Sequence, residues 1–504
     1  MNLIDKVISA VSPEWGMKRA RARAATMVYR AANLNRRSDS LRPSNSDANV
    51  AGRARLRVAH NMRDLVRNVP FAARARSVIA NNVVGDGIIP KVTLNVPQDM
   101  TADLSKAFKD RGMHHIEQTL DTVRIDKKGL QNLYGLQRQV INTVIESGEA
   151  LVRRHICPVE AGAGLPLKIE VLEPDYLDSS RQWAGEGDNI VIDGIEYDDA
   201  GTRVAYWLFT QHPGGEFIPS RSQINSVRVP AEDVIHVFLP DRSGQDRGVS
   251  WFAPVAEKLL TLDDYEDALL VRQQIASCFV MFRKLGSGGQ GTAEIGDQVR
   301  AGSIIDLGED EDVDFATPPV ASGDDQFIST VLREIAVGMG ISYEALTGDL
   351  RGVNFSSARI GRLEMDRSVS SWQWLMMVPQ MLQPLSDWIG EAWAEYEAQT
   401  REWDDPALGN FIDGGVISLT WVPPVRLMID PSGEFSAFNV AVRSGFMSRQ
   451  GVVRTTGVDP ERLMQEQHQD KMDADALGLI FDSDPRADIS RQILKGQSER
   501  KQDE

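Results

Sequence analysis

The chain has little cysteine and no long apolar run. Its 504 residues include two cysteines, Cys157 and Cys278, which cannot form a disulfide framework, so a reducing compartment is favoured. No apolar stretch reaches the length of about 18 residues that a membrane-spanning helix needs. The N-terminal stretch carries Asp5 and Glu14 and lacks a small-residue cleavage site, so we do not expect a secretion signal.

Signatures of common enzymes are also missing. The sequence contains no G-x-x-x-x-G-K-[ST], no G-x-S-x-G and no H-E-x-x-H pattern. A G-x-G-x-x-G match at 286–291 follows a predicted helix rather than a strand, so we interpret it as a loop. The seven histidines are scattered without metal-ligand spacing, and His236 is expected to be satisfied locally within a strand. We therefore predict no catalytic, cofactor-binding or metal-binding residues, and a role in assembly and mechanics rather than catalysis.

The net charge of −17 is distributed unevenly. Residues 1–80 hold 16 Lys and Arg against 5 Asp and Glu, a local charge of +11, so the remaining residues sum to −28. Such a basic arm is either solvated or docked on an acidic partner or on nucleic acid. The acidic body argues against tight binding of DNA phosphates, which needs clustered cations, but is compatible with a surface that DNA slides past.

An acidic run lies between residues 306 and 314. Its members are Asp306, Glu309, Asp310, Glu311, Asp312 and Asp314. The run lacks the alternating ligands, mid-loop glycine and terminal glutamate of a calcium loop, so a solvated acidic face is the favoured interpretation. The alternative is that these carboxylates serve a metal-dependent nuclease.

Hydrophobic periodicity predicts an α+β chain. Helical spacing from about 50 to 83 and over 102–147 is followed at 149–240 by strand-like runs bounded by Gly, Pro and Asp. A helix is expected over 252–283, where an apolar stripe runs beside an acidic ledge. It would be about 48 Å long.

The second half of the chain is predicted to be mainly helical. A small insert with a strand signal at 303–307 precedes a helix at about 324–340. Another helix, at 357–398, should bend at Pro379 and Pro384. Four tryptophans in this part, Trp372, Trp374, Trp388 and Trp393, form either a core stripe or an oligomer interface, and the sequence leaves both open.

Several segments resemble the lambda-type family of tailed-phage portal proteins. Residues 63–70 match the pattern R-x-L-x-R-N-x-P, and 82–88 match N-V-V-G-x-G-I. The resembling segments are 54–88, 148–154, 172–178, 230–255, 301–315, 340–367 and 446–466, in the family's order. This order, rather than any single motif, carries the resemblance. Phe355 departs from it, because the family often has tyrosine there.

The resemblance implies a ring of about twelve subunits at one capsid vertex. Double-stranded DNA would pass through its axial channel during packaging and ejection, and the ring would not hydrolyse ATP. The implied partners are the terminase, the major capsid protein and scaffold, and the head-completion proteins, with no membrane. The implied location is the virion, after assembly in the host cytoplasm. Another head–tail connector or adaptor protein is the alternative.

The resemblance also implies a division into wing, stem, clip, tunnel and crown regions. The fold would be α+β, with a mixed α/β wing, long stem helices, a small clip, a kinked tunnel helix and a helical crown. The regions are a basic flexible arm (1–50), wing (51–250), stem helix (251–283), clip (284–323), second stem helix (324–343), tunnel loop (344–360), long kinked helix with a return through the wing (361–430), crown (431–481) and disordered tail (482–504).

The tunnel loop supplies the predicted functional residues. The predicted DNA-channel residues are Gly348, Asp349, Leu350, Arg351, Gly352, Val353, Asn354 and Phe355. A glycine-containing polar loop can move against DNA, and we expect Arg351 and Asn354 to face it. The alternative is that both are surface residues that form a turn.

Overall fold

The structure, a computed structural model, describes most of the chain in two compact units. The described residues are 47–49, 52, 54–94, 102–160, 162, 164–182, 185–215, 225–277, 281–285, 311–315, 324–400, 417–424, 430–456, 458 and 460–479. The predicted tail, and the predicted arm up to residue 46, lie outside them. The first unit joins Met1–Ala51 to Arg242–Asp246, and within it the Asn49 amide donates to Asp246 Oδ2 at 3.0 Å. The helices and strands below belong to the second unit, Gly52–Asp241 with Arg247–Glu504.

The second unit begins with helices and one strand. These elements are α1 (Ala54–Asn68), α2 (Pro70–Val83), β1 (Ile89–Leu94), α3 (Ala102–Thr119) and α4 (Leu133–Ser147). The prediction of unbroken helix over 102–147 was wrong between α3 and α4. There the Asp126 carboxylate accepts hydrogen bonds from three backbone N–H groups between 128 and 131, which stabilises a loop. Asn132 then caps α4, and Gly148, in the left-handed region, ends it.

Residues 149–240 form two antiparallel sheets, as the strand-like pattern predicted. The strands are β2 (Glu149–Ile156), β3 (Leu167–Leu172), β4 (Ile190–Ile192), β5 (Ile195–Tyr197), β6 (Arg203–Phe209), β7 (Ser226–Pro230) and β8 (Val234–Phe238). The first sheet has the order β3-β2-β8, and the second has the order β4-β5-β6-β7. In the first sheet Leu151 lies between Leu172 on β3 and His236 on β8.

The first long helix is shorter than predicted. Helix α5 spans Ala256–Ser277, which is 22 residues, so it is about 33 Å long. Residues 251–255 form turns before it. After it, Met281–Leu285 forms strand β9, which pairs antiparallel with strand β10, Glu311–Phe315. The prediction of helix to residue 283 was therefore wrong, because a partner strand distant in sequence determines the conformation there.

The predicted clip is described only through the β9–β10 pair. This pair begins at residue 281, before the predicted boundary at 284. The strand signal at 303–307 and the acidic residues at 306–310 lie outside the described residues, so both remain predictions. The described strand after them is β10.

Helices return after the clip. Helix α6 spans Asp324–Met339, and Gly340, with a φ of +68°, ends it before the predicted boundary at 343. A short helix α7, Tyr343–Thr347, follows, and the loop proper occupies 348–354. The predicted tunnel loop at 344–360 therefore overlaps two helices, since α7 reaches residue 347 and α8 begins at residue 355.

The next helix is long and contains a π-helical segment, whose turns are wider than those of an α-helix. Helix α8 (Phe355–Trp372) runs through a π-helical segment (Gln373–Leu382) into helix α9 (Gln383–Thr400). Pro379 lies inside the wide segment, where the Gln383 N–H reaches back five residues to the Val378 carbonyl. Proline cannot donate the backbone hydrogen bond of a regular helix, so a local change of geometry is the expected response. The structure thus has a π-helical segment around Pro379, and the predicted bend at Pro379 and Pro384 stays a prediction.

The chain then returns to its first half and ends in three helices. Strand β11, Ile417–Val422, pairs antiparallel with β1. The final helices are α10 (Pro431–Arg443), α11 (Arg449–Thr455) and α12 (Pro460–Leu477). The side chains of Asp430 and Ser448 cap α10 and α11.

A large core joins the helices to the first sheet, and a smaller one lies on the second sheet. Trp393, Tyr396 and Phe252, all in the large core, are among the largest fully buried side chains of the unit. No helix among the described residues is long and apolar enough to cross a bilayer.

Candidate functional site

The loop at 348–354 is fixed where helix α7 ends. The Ser342 hydroxyl accepts a hydrogen bond from the Ala345 N–H and caps the start of α7. Gly348, with a φ of +71°, ends the helix, and its N–H donates to the Glu344 carbonyl at 2.8 Å. The chain therefore enters the loop through a left-handed position that favours glycine.

Helix α7 is anchored to the rest of the unit. Leu346 is buried, and Arg74 of α2 donates from Nε to the Ala345 carbonyl at 3.2 Å. The Arg333 guanidinium lies 5.0 Å from the ring centroid of Tyr343. The loop thus follows a helix that is held to the rest of the unit.

An ion pair lies inside the loop. Arg351 donates from Nε to Asp349 Oδ1 at 2.9 Å and from Nη2 to Asp349 Oδ2 at 3.0 Å. The backbone N–H of Arg351 also donates to Asp349 Oδ1. The hydrogen bonds from the Arg351 side chain, and to a lesser extent the one from its backbone, lower the pKa of the Asp349 carboxyl to about 2. The loop therefore presents a neutralised pair rather than a free guanidinium.

The other predicted loop residues are mostly open to solvent. Leu350 is 69% exposed, and its carbonyl accepts from the Val353 N–H at 3.2 Å. Gly352 has a φ of +75°, and no atom lies within 4 Å of the Cβ that an alanine would add. Asn354 is exposed, and Phe355 begins helix α8. The structure thus brings the predicted residues together in one largely exposed turn and the first residue of α8.

A buried ionic cluster lies elsewhere in the unit, and the sequence did not predict it. Glu149 begins β2 and is fully enclosed, and Arg247 donates to it from Nε at 2.9 Å. His236 Nε2 lies 3.0 Å from Glu149 Oε2 and carries the shared proton, because a carboxylate only accepts. Arg55 of α1 lies 3.7 Å from the same carboxylate and also donates to Asp193.

Opposing effects act on the pKa of Glu149. Burial alone would raise it, but the charge of Arg247 and hydrogen bonds from His236 and Arg247 hold the pKa well below its usual range. The carboxylate therefore stays ionised and joins helix α1, strands β2 and β8, and the segment before α5. The sequence signal was a charged residue at the head of the otherwise apolar run Glu149–Val152.

Glu173, Asp175 and His212 form a group that could hold a metal ion, with ligand atoms within 4.8 Å of one another. The sequence did not predict this grouping either. Arg63 already contacts both carboxylates, Glu173 at 3.3 Å and Asp175 more closely. His60 Nε2 lies 2.7 Å from Asp175 Oδ1. A cation would have to displace the guanidinium, so these residues fit an ion-pair network better than a metal site.

Comparison with known proteins assigns the family. The model of the family described as "Phage portal protein, lambda family" matches residues 34–373. The chain belongs to this family. The resemblance inferred from the sequence is thereby confirmed, and so is the α+β class of this portal-family chain.

Relatives of known name include portal proteins of three phages. A probable portal protein of Halomonas phage phiHAP-1 is 25% identical over 362 residues, which are 67% of this chain and 65% of the relative. Portal protein B of Escherichia phage lambda is 22% identical over 329 residues, 57% of this chain and 59% of the relative. The portal protein of Escherichia phage N15 is 22% identical over 346 residues. The chain thus spans less than two thirds of these relatives.

Solved structures with similar chains include a gene transfer agent particle and a phage portal protein. A chain of the neck of a native gene transfer agent particle, computed with C12 symmetry, has a TM-score of 0.47 at 16% identity. The match covers 82% of this chain and 99% of that one. An HK97-family phage portal protein from Corynebacterium diphtheriae has a TM-score of 0.29 at 10% identity, covering 74% and 96%.

The four tryptophans between residues 372 and 393 are mainly core residues. Trp372, Trp388 and Trp393 are buried, whereas Trp374 is 52% exposed. Trp372 packs against Trp251 with ring centroids 5.0 Å apart. The indole nitrogens of Trp388 and Trp393 donate to the Glu232 carbonyl and to Glu397. Of the two interpretations left open, the core stripe holds for three of the four.

Proposed function

We propose that the chain is a portal protein that assembles into a ring at one capsid vertex and surrounds a channel for double-stranded DNA. The observation that carries this proposal is the match of the lambda portal family over residues 34–373. The projecting loop at 348–354, held between α7 and α8, supports it. An exposed loop on a packed base can touch a moving partner without loosening the subunit.

We assign α5 and α6 to the stem, the β9–β10 pair to the clip, and the loop at 348–354 to the channel wall. The wing is then the sheets with α1 to α4, and the crown is α10 to α12. The acidic balance of the chain suits a channel that must release DNA, because clustered cations would hold its phosphates. Because Asp349 neutralises Arg351, the loop adds little net attraction.

The proposed partners follow from the same role. The ring would bind the terminase during packaging and head-completion proteins afterwards, and would sit within the major capsid protein shell with its scaffold. Assembly would take place in the host cytoplasm and end in the virion. The subunit would act mechanically, without hydrolysing ATP or cutting DNA.

The test is the mass and symmetry of the purified protein. Native mass spectrometry and class averages of negatively stained particles should show rings of about twelve subunits with a central hole. DNA incubated with these rings and Mg²⁺ should remain uncut. A monomer or dimer at every salt and protein concentration would contradict the ring. DNA cleavage that is lost in the Asp306→Ala/Asp310→Ala variant would instead support the nuclease alternative.

A further inference from the structure

Helix α5 has an outward face that none of the described residues of its own chain covers. Residues Leu260, Asp264, Asp267 and Val271 follow one another at spacings of three and four, so they share one side of the helix. Leu260 is 51% exposed and Val271 is 52% exposed. We call these four residues the acidic face of α5.

The opposite side of α5 makes the contacts within the subunit. Leu259 and Leu262 are buried, and Tyr265 packs against Phe327 of α6 with ring centroids 5.0 Å apart. The acidic face therefore points away from α6. The exposed leucine and valine of this face form the kind of apolar surface that another protein covers.

The charges of the acidic face are not balanced within the subunit. Among the residues that the structure describes, Asp264 and Asp267 form no ion pair. Glu266 reports the local excess of negative charge, because burial, Asp263 and Asp267 together raise its pKa. A partner that brings positive charge would be favoured here.

Helix α8 carries a face of the opposite character. Arg359, Ile360, Leu363 and Arg367 also follow helical spacing and point outward. Ile360 is 65% exposed and Leu363 is 51% exposed. Arg367 pairs only with exposed Glu364 of its own helix, and Arg359 has no ion pair among the described residues. We call these four residues the basic face of α8.

We propose that the acidic face of α5 binds the basic face of α8 in a second copy of this chain. This proposal rests on the proposed ring and names the surfaces that would build it. The four residues of each face combine exposed aliphatic side chains with charges of one sign, and the two signs are opposite. Glu364, which pairs with Arg367, lies beside the basic face. The occupant of either face is therefore the same protein rather than a different one.

The pairing of two different faces also bears on the symmetry of the contact. A two-fold dimer would have to make the α5–α8 contact twice within one interface, whereas a ring makes it once between each pair of neighbouring copies. Contact between two different faces leaves one face of each kind free on the outer copies. Such head-to-tail contacts continue until they close into a ring or extend as a filament.

Charge reversal on full-length protein tests the pairing. The Asp264→Lys/Asp267→Lys variant and the Arg359→Glu/Arg367→Glu variant should each lower the fraction of protein in rings by about tenfold or more, because like charges then meet. The Asp110→Lys/Glu117→Lys variant makes the first charge change on two exposed residues of α3 and should assemble as the wild type does. Native mass spectrometry measures the ring fraction.

Mixing the two reversed variants gives the decisive measurement. One variant then has two basic faces and the other has two acidic faces, so each fails alone. Together they can alternate, and rings should form with equal numbers of both. Failure of the mixture to assemble would overturn the proposal, provided that both variants keep the wild-type thermal midpoint.

Milder changes cover a loss of folding. If a reversed variant unfolds, Asp264→Asn/Asp267→Asn should still lower the ring fraction and weaken its dependence on salt, since the attraction has been removed. Rings of wild-type yield from this variant would overturn the pairing while leaving the portal function intact. Intact rings of Arg359→Glu/Arg367→Glu that bind DNA more weakly would overturn it too and assign the basic face to DNA. Wild-type protein that forms no ring would defeat the proposed function itself.

Discussion

The guanidinium of Arg351 lies against the carboxylate of Asp349, with two nitrogen–oxygen distances of 2.9 and 3.0 Å. Both residues belong to the projecting loop at 348–354, and Arg351 is 85% exposed. The arginine that is expected to face DNA therefore already has a counter-charge of its own.

Removing this counter-charge should strengthen the grip of the loop on DNA. In Asp349→Asn the guanidinium becomes free to neutralise a phosphate, so assembled rings should bind a short duplex more tightly and with a steeper salt dependence. Arg351→Ala should bind more weakly than the wild type. Binding measured over a salt series distinguishes these outcomes.

The control is Asp86→Asn, which makes the same change of charge at an exposed residue outside the loop. Equal effects of Asp86→Asn and Asp349→Asn would show that total charge, rather than the loop pair, governs binding.

Glu149→Gln should destabilise the subunit strongly. It removes the charge that compensates buried Arg247, and breaking such a pair costs about 3–5 kcal/mol in the free energy of unfolding. Urea titration followed by tryptophan fluorescence measures the change. Glu391→Gln is the matched control, because Glu391 is 65% exposed and its pair with Arg154 should contribute less than about 1 kcal/mol. Similar losses of unfolding free energy in both variants would show that burial of the Glu149–Arg247 pair does not determine its contribution.

Gly148→Ala should cost more stability than Gly201→Ala. Both glycines have positive φ, +94° and +79°, so alanine is strained by about 1 kcal/mol at either position. Only at Gly148 would the new Cβ also lie 2.4 Å from the Val249 backbone, whereas Gly201 has open space. The difference between the two thermal midpoints isolates this steric cost. Equal midpoints would mean that the Gly148–Val249 approach is not tight in solution.

Glu397 should make the subunit sensitive to acid. Burial alone would raise the pKa of its carboxyl, but hydrogen bonds from His115, Arg111 and Trp393 lower it from 4.5 to about 2. A carboxyl with a lowered folded-state pKa adds stability above its ordinary pKa, and this stability is lost as the pH falls from 4.5 towards 2. Thermal midpoints measured across this range should fall more steeply for the wild type than for Glu397→Gln. Parallel profiles would contradict the prediction.

Several helix ends carry a local signal in the sequence. Gly148, Asp430 and Ser448 act where their side chains or φ angles satisfy backbone groups a few residues away, so the information is local. The end of α5 was not predictable in this way. Residues 281–285 become a strand because 311–315 lie beside them, and a partner that distant in sequence leaves no local mark.

For the candidate site, too, the sequence predicted the position of the loop but not the contacts of its side chains. The family motifs and three glycines marked the loop around Arg351, but its pairing with Asp349 depends on a turn that composition does not specify. The cluster around Glu149 joins residues from Arg55 to Arg247, so only the folded chain brings its charges together.

The π-helical segment Gln373–Leu382 resets the phase of the long helix that contains it. In an unbroken α-helix, Trp372 and Trp388 would point about 160° apart. Both are nevertheless buried, at 8% and 5% exposure, and the wider turns between them rotate the chain less per residue. A hydropathy pattern that assumes about 3.6 residues per turn throughout therefore assigns the wrong buried face to the part of the helix after this segment. A single-residue insertion or deletion in this segment would rotate α9 about its axis and so change which of its side chains face the core.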